Sequence, residues 1–407
     1  MNIALFTPVN TKSAIAHSSF LLENVLLQLG HTLSIVRTED EASLSLSARA
    51  FRSPISRWTD SRACRTVLAW AELVVYQVGN NLLYHKGAAY WIAIRPGLVI
   101  LHDFFLADLF SGYMAKTPKL ARKWLSHLYG AQAPDKFYHL LSTPEFYTKS
   151  AESMPLTEWI CSQATAVLTH SDWGVDRVLN SCPGPVRTQA LLYERPDIPV
   201  GRPPEHSPLR IVTIGCANRN KRFESIIRSI GSSPLLKSRV EYRIVGAGEP
   251  EFIQSMQSIA LELGVSLSYT GWIDDSTLRK EILQADIVTC LRFPTLEATS
   301  ASCIEALLYG KPSLVTDVGF YRELPNDCVV KIAPNNELSE LTEALTKLAT
   351  DAAFRRSLGE RGKAYAEQTF TAESYAAALM DLACEANNVE LPLDAARNLC
   401  DILHEWG

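Results

Sequence analysis

The feature that most constrains the fold is an alternation of buried-strand and helix patterns that runs along the chain twice. Residues 2–9 form an apolar run typical of a buried strand, and residues 18–32 follow with helical spacing. Similar strand patterns recur at 73–79, 97–103 and 165–171. Because strands that alternate with helices form parallel sheets covered on both faces, the first half is predicted to be a doubly wound α/β domain.

A proline-rich stretch interrupts this alternation. Residues 195–208 contain five prolines and no periodicity, which is typical of a linker. The alternation then restarts, with strands predicted at 209–215 and 240–248. We predict four parts: an N-terminal Rossmann-like domain over 1–194, the linker over 195–208, a C-terminal Rossmann-like domain over 209–380, and a helical tail over 381–407 that packs back on the N-terminal domain. Ligands of open parallel sheets bind at the carboxyl ends of the strands, so we expect the two domains to face each other across a ligand-binding cleft.

Composition excludes several classes of protein. The opening MNIALFTPV has no basic n-region, and no window approaches 18 apolar residues without a charge, so neither a signal peptide nor a membrane-spanning helix is expected. The nine cysteines form no CxxC pair, and the nine histidines form no HExxH or HxH group. We therefore expect a cytoplasmic protein with no metal site, no cofactor and no nucleic-acid partner.

One stretch in the last third of the chain, residues 293–325, carries two glutamates. Glu297 and Glu305 are separated by seven residues, and small polar residues lie around the first. Ser302 and Glu305 fit a capping box, so Glu305 has an ordinary structural interpretation as well as a functional one. Glu297 is predicted to lie just before a helix, where backbone N–H groups attract phosphate. A carboxylate at that point suits the hydroxyl groups of a sugar.

Other candidate residues follow predicted strands. Arg219, Lys221 and Arg222 cluster after the strand at 211–215, either as a solvated basic turn or as a cationic clamp for a diphosphate. Gly246 lies in VGAGE, which is either a tight turn or a ligand-approaching loop. His102 and Asp103 directly follow a strand, where a histidine is either structural or part of an active site.

Together these segments resemble the retaining glycosyltransferases of family 4, which have the GT-B fold of two Rossmann-like domains. The resemblance rests on the E-x7-E pattern of Glu297 and Glu305, with HD at 102–103, LTHS at 168–171, the strand–loop–lysine segment 211–221 and residues 269–292 in the same order. It implies a metal-independent, hexosyltransferase-type enzyme that retains the anomeric configuration. The implied reaction moves a sugar from a UDP- or GDP-linked donor to a glycan or lipid-linked acceptor in polysaccharide or lipopolysaccharide-type biosynthesis.

The resemblance also implies roles for individual residues. Glu297 would contact the donor sugar, Glu305 the ribose, and Lys221 the diphosphate, while His102 would reach the transferred sugar and the acceptor. The distal phosphate would lie at Thr299, Ser300 and Ala301, and the base at Trp272 and Ile273. Further contacts with the donor would come from Arg219, Arg222 and Gly246. The acceptor would lie near Ser13, Ala14, His17 and Asp103.

Two positions depart from the family pattern. Cys216 stands where many members have an arginine, and Arg219 or Arg222 would have to replace that cation. Ala14 stands where the first loop commonly has a glycine. Two alternatives therefore stay open: another GT-B-like enzyme, such as a nucleotide-sugar epimerase or a phosphorylase, and an inactive subunit that binds sugar nucleotides.

Charge is unevenly distributed along the chain. Residues 1–205 contain 19 Lys and Arg against 17 Asp and Glu, whereas the remainder contains 20 against 27. Two segments, 45–66 and 113–149, each carry a net charge of +4. They form either an ordinary solvated face or a peripheral docking surface for the anionic inner face of the cell membrane. In the second case we expect interfacial anchoring by their aromatic residues, Phe51, Trp58, Trp124, Tyr129, Phe137 and Tyr138.

Overall fold

The computed structural model describes residues 1–44, 47–197 and 207–388, and its contacts divide the chain into two compact units. The first unit contains Met1–Glu194, Leu296–Thr299 and the chain from Thr371 onward, and the second contains Arg195–Thr295 and Ser300–Phe370. Most of the predicted linker, 198–206, and most of the predicted tail, 389–407, lie outside the described residues.

The described part of the first unit contains a parallel sheet of seven strands. These are β1 (Asn2–Thr7), β2 (Thr32–Arg37), β3 (Ile55–Arg57), β4 (Leu73–Val78), β5 (Leu98–Leu101), β6 (Ala166–Thr169) and β7 (Val186–Thr188). Their order is β3-β2-β1-β4-β5-β6-β7, with each pair of neighbours parallel. The central strands β1, β4, β5 and β6 are almost completely buried, as expected for a sheet covered on both faces.

Helices connect these strands. They are α1 (Ala14–Gln28), α2 (Ser61–Trp70), α3 (Leu82–Ile92), α4 (Ala107–Met114), α5 (Pro118–Tyr129), α6 (Ala133–Leu141), α7 (Phe146–Ser153), α8 (Thr157–Cys161) and α9 (Val175–Ser181). Residues 372–388 form a further helix of the first unit. That helix is fixed by contacts of His170 with Tyr375, at 5.8 Å between ring centroids, and by an ion pair of Arg187 with Glu385.

Of the six aromatic residues that were predicted to anchor at a membrane interface, Phe137 is fully buried, so the prediction is wrong for that residue, whereas the other five are half-buried. Phe137 is fully buried in the core, and Trp58, Trp124, Tyr129 and Tyr138 pack against that core. Phe51 stacks edge-on against Phe20. The reason is the helical period, which places the aromatics of α5 and α6 on the inner face and the charges on the outer face.

The described part of the second unit contains a parallel sheet of six strands. These are β8 (Leu209–Ile214), β9 (Val240–Val245), β10 (Leu267–Tyr269), β11 (Ile287–Cys290), β12 (Ser313–Thr316) and β13 (Val330–Ile332). The helices are α10 (Phe223–Gly231), α11 (Pro234–Arg239), α12 (Pro250–Leu263), α13 (Asp275–Gln284), α14 (Ala301–Leu308), α15 (Phe320–Glu323), α16 (Glu337–Thr350) and α17 (Ala352–Thr369).

Strand order in this second sheet locates its ligand-binding edge. The order β10-β9-β8-β11-β12-β13 reverses direction along the chain between β8 and β11. Ligands of doubly wound sheets bind outside the carboxyl ends of the strands at such a switch point. The loops after β8 and β11 contain Lys221 and the first residues of the E-x7-E stretch. In the described part of the chain, no helix is long and apolar enough to cross a membrane.

Candidate functional site

Lys221 is buried at the carboxyl end of β8. Its side chain lies in the second unit, only 5% of the residue is exposed, and Nζ donates to the carbonyl oxygen of Ile214 at 2.7 Å. Gly215, with φ of +96°, makes this possible, because a Cβ at that position would lie 2.5 Å from Nζ. A cation therefore sits at the switch point of the sheet, where an anionic ligand would bind.

Gly246 supports the same loop from the neighbouring strand. Its φ is +134°, and a Cβ would lie 2.5 Å from the carbonyl oxygen of Gly215. Its backbone N–H donates to Thr270 Oγ1 at 3.3 Å. The glycine therefore lets the loops after β8 and β9 pack closely, which is a structural use of a residue that we predicted to contact the donor.

The two arginines beside Lys221 are held differently. Arg222 has a left-handed backbone, and its Nε donates to both carboxylate oxygens of Glu337 at 3.0 and 2.8 Å. Arg219 is exposed, as is Cys216. Arg222 is thus already engaged in a structural ion pair, whereas Arg219 has a solvent-facing side chain.

The helix of the E-x7-E stretch begins differently from the sequence prediction. Helix α14 starts at Ala301 with Ser300 as its N-cap, and Ser300 Oγ accepts from the backbone N–H of Cys303. The predicted capping box of Ser302 and Glu305 is therefore wrong, because the cap lies two residues earlier and Glu305 lies in the second turn. Helix N-termini carry backbone N–H groups without intrahelical partners, here at the first residues after Ser300.

Glu305 lies on α14, half-buried. Burial raises the pKa of its carboxyl to about 7, with a further rise from Asp275 that Arg279 opposes. A carboxyl group that titrates near neutrality is typical of functional sites. Trp272 and Ile273 follow β10, and Trp272 is 57% exposed.

Glu297 belongs to the first unit. The segment Leu296–Thr299 extends beside the residues that follow β5, with a β-bridge between Glu297 and Asp103. Ala298 N–H donates to the His102 carbonyl at 2.9 Å, and Phe105 N–H donates to the Leu296 carbonyl at 2.9 Å. The two glutamates of one sequence motif are therefore packed in different compact units, which the sequence pattern did not indicate.

His102 is buried and Asp103 half-buried beside this segment. The His102 ring bonds through Nε2 to Gln77 Oε1 and lies 4.8 Å from the His170 ring. Burial, together with His170 and His85, holds the pKa of His102 well below its usual range, so it is neutral. Burial raises the pKa of Asp103 to about 7, against a hydrogen bond from the Asn80 N–H, and Glu297 raises it further.

The first loop, after β1, holds the remaining predicted positions. Ser13 is the N-cap of α1, and its side chain accepts a hydrogen bond from the Ala16 N–H at 3.2 Å. Ala14 is exposed. The ring centroid of His17 lies 5.9 Å from that of Tyr193. Sequence reasoning missed Glu39, which is buried and accepts from the N–H groups of Val9 and Asn10 at 2.8 and 2.9 Å. It also missed Gln77. Neither residue lies in a recognisable motif, so no sequence signal distinguishes them.

The second unit is similar in sequence to a known family, and the chain is similar in fold to solved structures. Residues 195–365 match the family model described as Glycosyl transferases group 1. Sucrose-phosphate synthase from Thermosynechococcus elongatus is similar in structure, with a TM-score of 0.63, 14% identity, and coverage of 97% of this chain and 100% of that one. HepE of Anabaena in complex with UDP-glucose has a TM-score of 0.59, 13% identity and coverage of 96% and 100%.

A third similar structure is WaaG, a glycosyltransferase involved in lipopolysaccharide biosynthesis, with a TM-score of 0.60, 14% identity and coverage of 92% and 98%. No curated protein sequence matches significantly. The fold is GT-B, with two doubly wound parallel sheets, as predicted. The match to the group 1 glycosyltransferase model lies in the second unit, and the similarity to the solved structures concerns the fold.

No group of three or more His, Cys, Asp or Glu side chains in the described part of the chain is arranged to hold a metal ion. The sequence expectation that the enzyme works without a metal stays a prediction.

Proposed function

We propose that this enzyme is a retaining, metal-independent hexosyltransferase that uses a nucleotide-diphosphate sugar, UDP-linked or GDP-linked. The observation that carries the proposal is Lys221, a buried cation at the switch point of a group 1 glycosyltransferase domain. HepE of Anabaena, which is similar in fold, forms a complex with UDP-glucose, and this supports testing uridine donors first.

The proposed donor contacts divide by chemistry. Lys221 neutralises the diphosphate together with the exposed Arg219, which we favour over Arg222 because Glu337 already engages Arg222. The N–H groups at the start of α14, near Thr299, Ser300 and Ala301, cap the distal phosphate. Glu305 accepts from the ribose hydroxyls, and the base lies against Trp272 and Ile273.

The proposed reaction breaks the bond between the sugar C1 and the phosphate oxygen. Lys221 stabilises the leaving diphosphate, and Glu297 and His102 hold the transferred sugar. The acceptor hydroxyl attacks C1 from the face that the diphosphate leaves, and its proton passes to the departing phosphate oxygen. The products are a nucleoside diphosphate and a glycoside with the donor's anomeric configuration. A neutral His102 with a strongly lowered pKa suits hydrogen bonding to sugar better than proton abstraction.

A charge-deletion variant tests the donor site. Lys221→Met keeps the aliphatic stem and removes the charge, so UDP should stabilise this variant much less than wild type in a thermal-shift titration. A ligand at a hundred times its Kd adds about 2.7 kcal/mol of stability. Lys237→Met, at an exposed lysine on α11, is the matched control. Equal stabilisation of Lys221→Met and wild type by UDP, GDP and their sugar conjugates would exclude the clamp.

We further propose that the acceptor is a glycan or lipid-linked molecule presented at the inner face of the cell membrane. Lys116, Lys119, Arg122 and Lys123 are exposed on and just before α5, and Leu120 among them is 46% exposed. Because Trp124, Tyr129 and Tyr138 pack against the core, attraction would rest mainly on charge and this leucine. Each Lys or Arg near an anionic surface contributes about 1 kcal/mol, reduced by salt.

Cosedimentation with vesicles tests the membrane proposal. We expect binding to phosphatidylglycerol-containing vesicles at low salt, weaker binding at high salt, and none to neutral vesicles. Charge reversal at Lys119, Arg122 and Lys123 should weaken it, whereas reversal at Lys237 and Arg239 of α11 should not. If anionic vesicles do not bind at low salt, the proposed membrane face is wrong and a water-soluble acceptor is favoured.

A further inference from the structure

The ring of His102 is held by a glutamine from the adjacent strand. Gln77 lies in β4, is 1% exposed, and bonds through Oε1 to His102 Nε2. Its main-chain carbonyl bonds to Nδ1 of His85 at 3.1 Å. β4 and β5 are neighbouring parallel strands with Gln77 beside Ile100, and His102 N–H donates to the Val78 carbonyl at 2.9 Å. Gln77 therefore comes from the sheet, and His102 directly follows the neighbouring strand β5.

The partner of Nε2 determines which nitrogen of His102 carries the proton. An amide oxygen only accepts hydrogen bonds, so the nitrogen that faces it is the N–H donor. A neutral imidazole has a single N–H, and the other nitrogen is then an acceptor. In the described part of the chain, Nδ1 of His102 has no hydrogen-bond partner, and the residue keeps 7% of its surface exposed. A partly exposed acceptor nitrogen can accept a hydrogen bond from a hydroxyl group of a ligand.

The groups around His102 keep its ring neutral. Only a neutral ring has two tautomers, so only then does the partner of Nε2 determine which nitrogen carries the proton. The titratable groups nearest in the fold are His170 at the end of β6, His85 on α3, Asp103 next in the chain, and Glu297 in the paired segment. Burial of the ring lowers the pKa of His102 well below its usual range, and His170 and His85 lower it further. Near neutral pH the ring is therefore uncharged.

We propose that Gln77 is a positioning residue that holds His102 as the Nε2–H tautomer and thereby presents Nδ1 to a sugar hydroxyl. The identity of that hydroxyl rests on the proposed function, whereas the tautomer does not. Without the glutamine, both tautomers of His102 become accessible, and part of the population presents an N–H donor where an acceptor is needed. Positioning of this kind commonly matters as much as the group that touches the ligand.

Nuclear magnetic resonance tests the tautomer without any assay of activity. The full chain, labelled with ¹⁵N-histidine, is compared with His102→Ala in a long-range ¹H–¹⁵N spectrum to assign the ring. We expect a neutral Nε2–H ring in wild type and a mixture of tautomers in Gln77→Leu. Tyr76→Phe removes a different, part-buried hydrogen bond of the same strand, from Tyr76 OH to the Arg95 carbonyl, and should leave the spectrum of His102 unchanged. An Nδ1–H ring in wild type would overturn the proposal.

Kinetics test the consequence. Gln77→Leu should lower kcat by about tenfold, the order expected for one hydrogen bond in the transition state, while KM for the donor changes less. Gln77→Glu keeps the acceptor and stabilises protonated His102, so it should restore the tautomer but move the acid limb of the pH–rate profile to higher pH. An equal loss of kcat in Gln77→Leu and Tyr76→Phe would mean that Gln77 serves stability alone. Because the spectra do not require turnover, failure of the proposed function and failure of this inference give different results.

Discussion

At the scale of single residues, Glu297 and Glu305 are held by different parts of the fold. Glu297 pairs with Asp103 in the first unit, and Glu305 lies in the second turn of α14 in the second unit. The proposed roles of Glu297 and Glu305 can therefore be tested by separate substitutions, since Glu297 does not belong to the unit that contains Lys221.

Glu297→Gln should lower transfer by roughly 100-fold, because a charged acceptor of sugar hydroxyl groups is lost. Binding of UDP should stay close to that of wild type, since the carboxylate is proposed to contact sugar and not phosphate. Product formation and isothermal titration with UDP measure the two effects. Glu251→Gln, at an exposed glutamate on α12, is the control. Near-wild-type transfer by Glu297→Gln would remove this residue from the site.

Asp103 gives a pH-dependent prediction that does not depend on catalysis. The pKa of its carboxyl is about 7 in the folded protein and close to 3.8 when unfolded, so between these values the folded state binds the extra proton. The contribution of Asp103 to the free energy of unfolding therefore falls as pH rises through this window and is lowest above pH 7. Asp103→Asn, which cannot ionise, should gain stability relative to wild type on going from pH 5 to pH 8. Urea unfolding at both values measures this, and a constant difference would contradict the buried-carboxyl interpretation.

At the scale of elements, apolar runs predicted the strands well and their ends less well. The run 97–103 contains a strand only over Leu98–Leu101, because His102 and Asp103 turn away to bond with Gln77 and Asn80. The start of α14 was missed by two residues, since Ser300 and Ser302 are equally good caps in sequence and only the backbone decides between them. The pairing of Glu297 with Asp103 joins residues far apart in the chain, which local patterns cannot predict.

The start of α14 can be tested with two matched serines. Ser300→Ala should lower the free energy of unfolding by about 1 kcal/mol, the usual cost of losing an N-cap, whereas Ser302→Ala should cost clearly less. Chemical denaturation followed by circular dichroism compares the variants. A larger loss in Ser302→Ala than in Ser300→Ala would restore the capping box that the sequence suggested.

At the scale of the whole molecule, the two predicted doubly wound sheets are confirmed, because the strand–helix alternation is a strong and local signal. The donor, acceptor and linkage do not follow from it, since they depend on a few contacts at the loop ends. The charge of the basic segments could be predicted, but the packing of Trp58, Trp124 and Tyr138 against the core could not, because the sequence does not state which side of a helix packs inward.

Whether the proposed reaction needs a metal ion is also a question about the whole molecule. Full transfer activity is expected in a strong chelator, because in the proposed mechanism Lys221 supplies the charge at the leaving group, and no carboxylate or histidine cluster among the described residues is arranged for a metal. Activity assays with and without the chelator measure this. Loss of activity that Mn²⁺ or Mg²⁺ restores would contradict the proposed mechanism.

The central claim is that this chain transfers sugar from a nucleotide donor with retention. The most direct measurement follows the anomeric proton of the first sugar formed from α-linked UDP- and GDP-sugars by ¹H NMR, with water serving as acceptor before the natural one is known. The account predicts that the α-anomer appears first and then mutarotates to the equilibrium mixture. Initial formation of the β-anomer, or turnover of none of these donors, would contradict it.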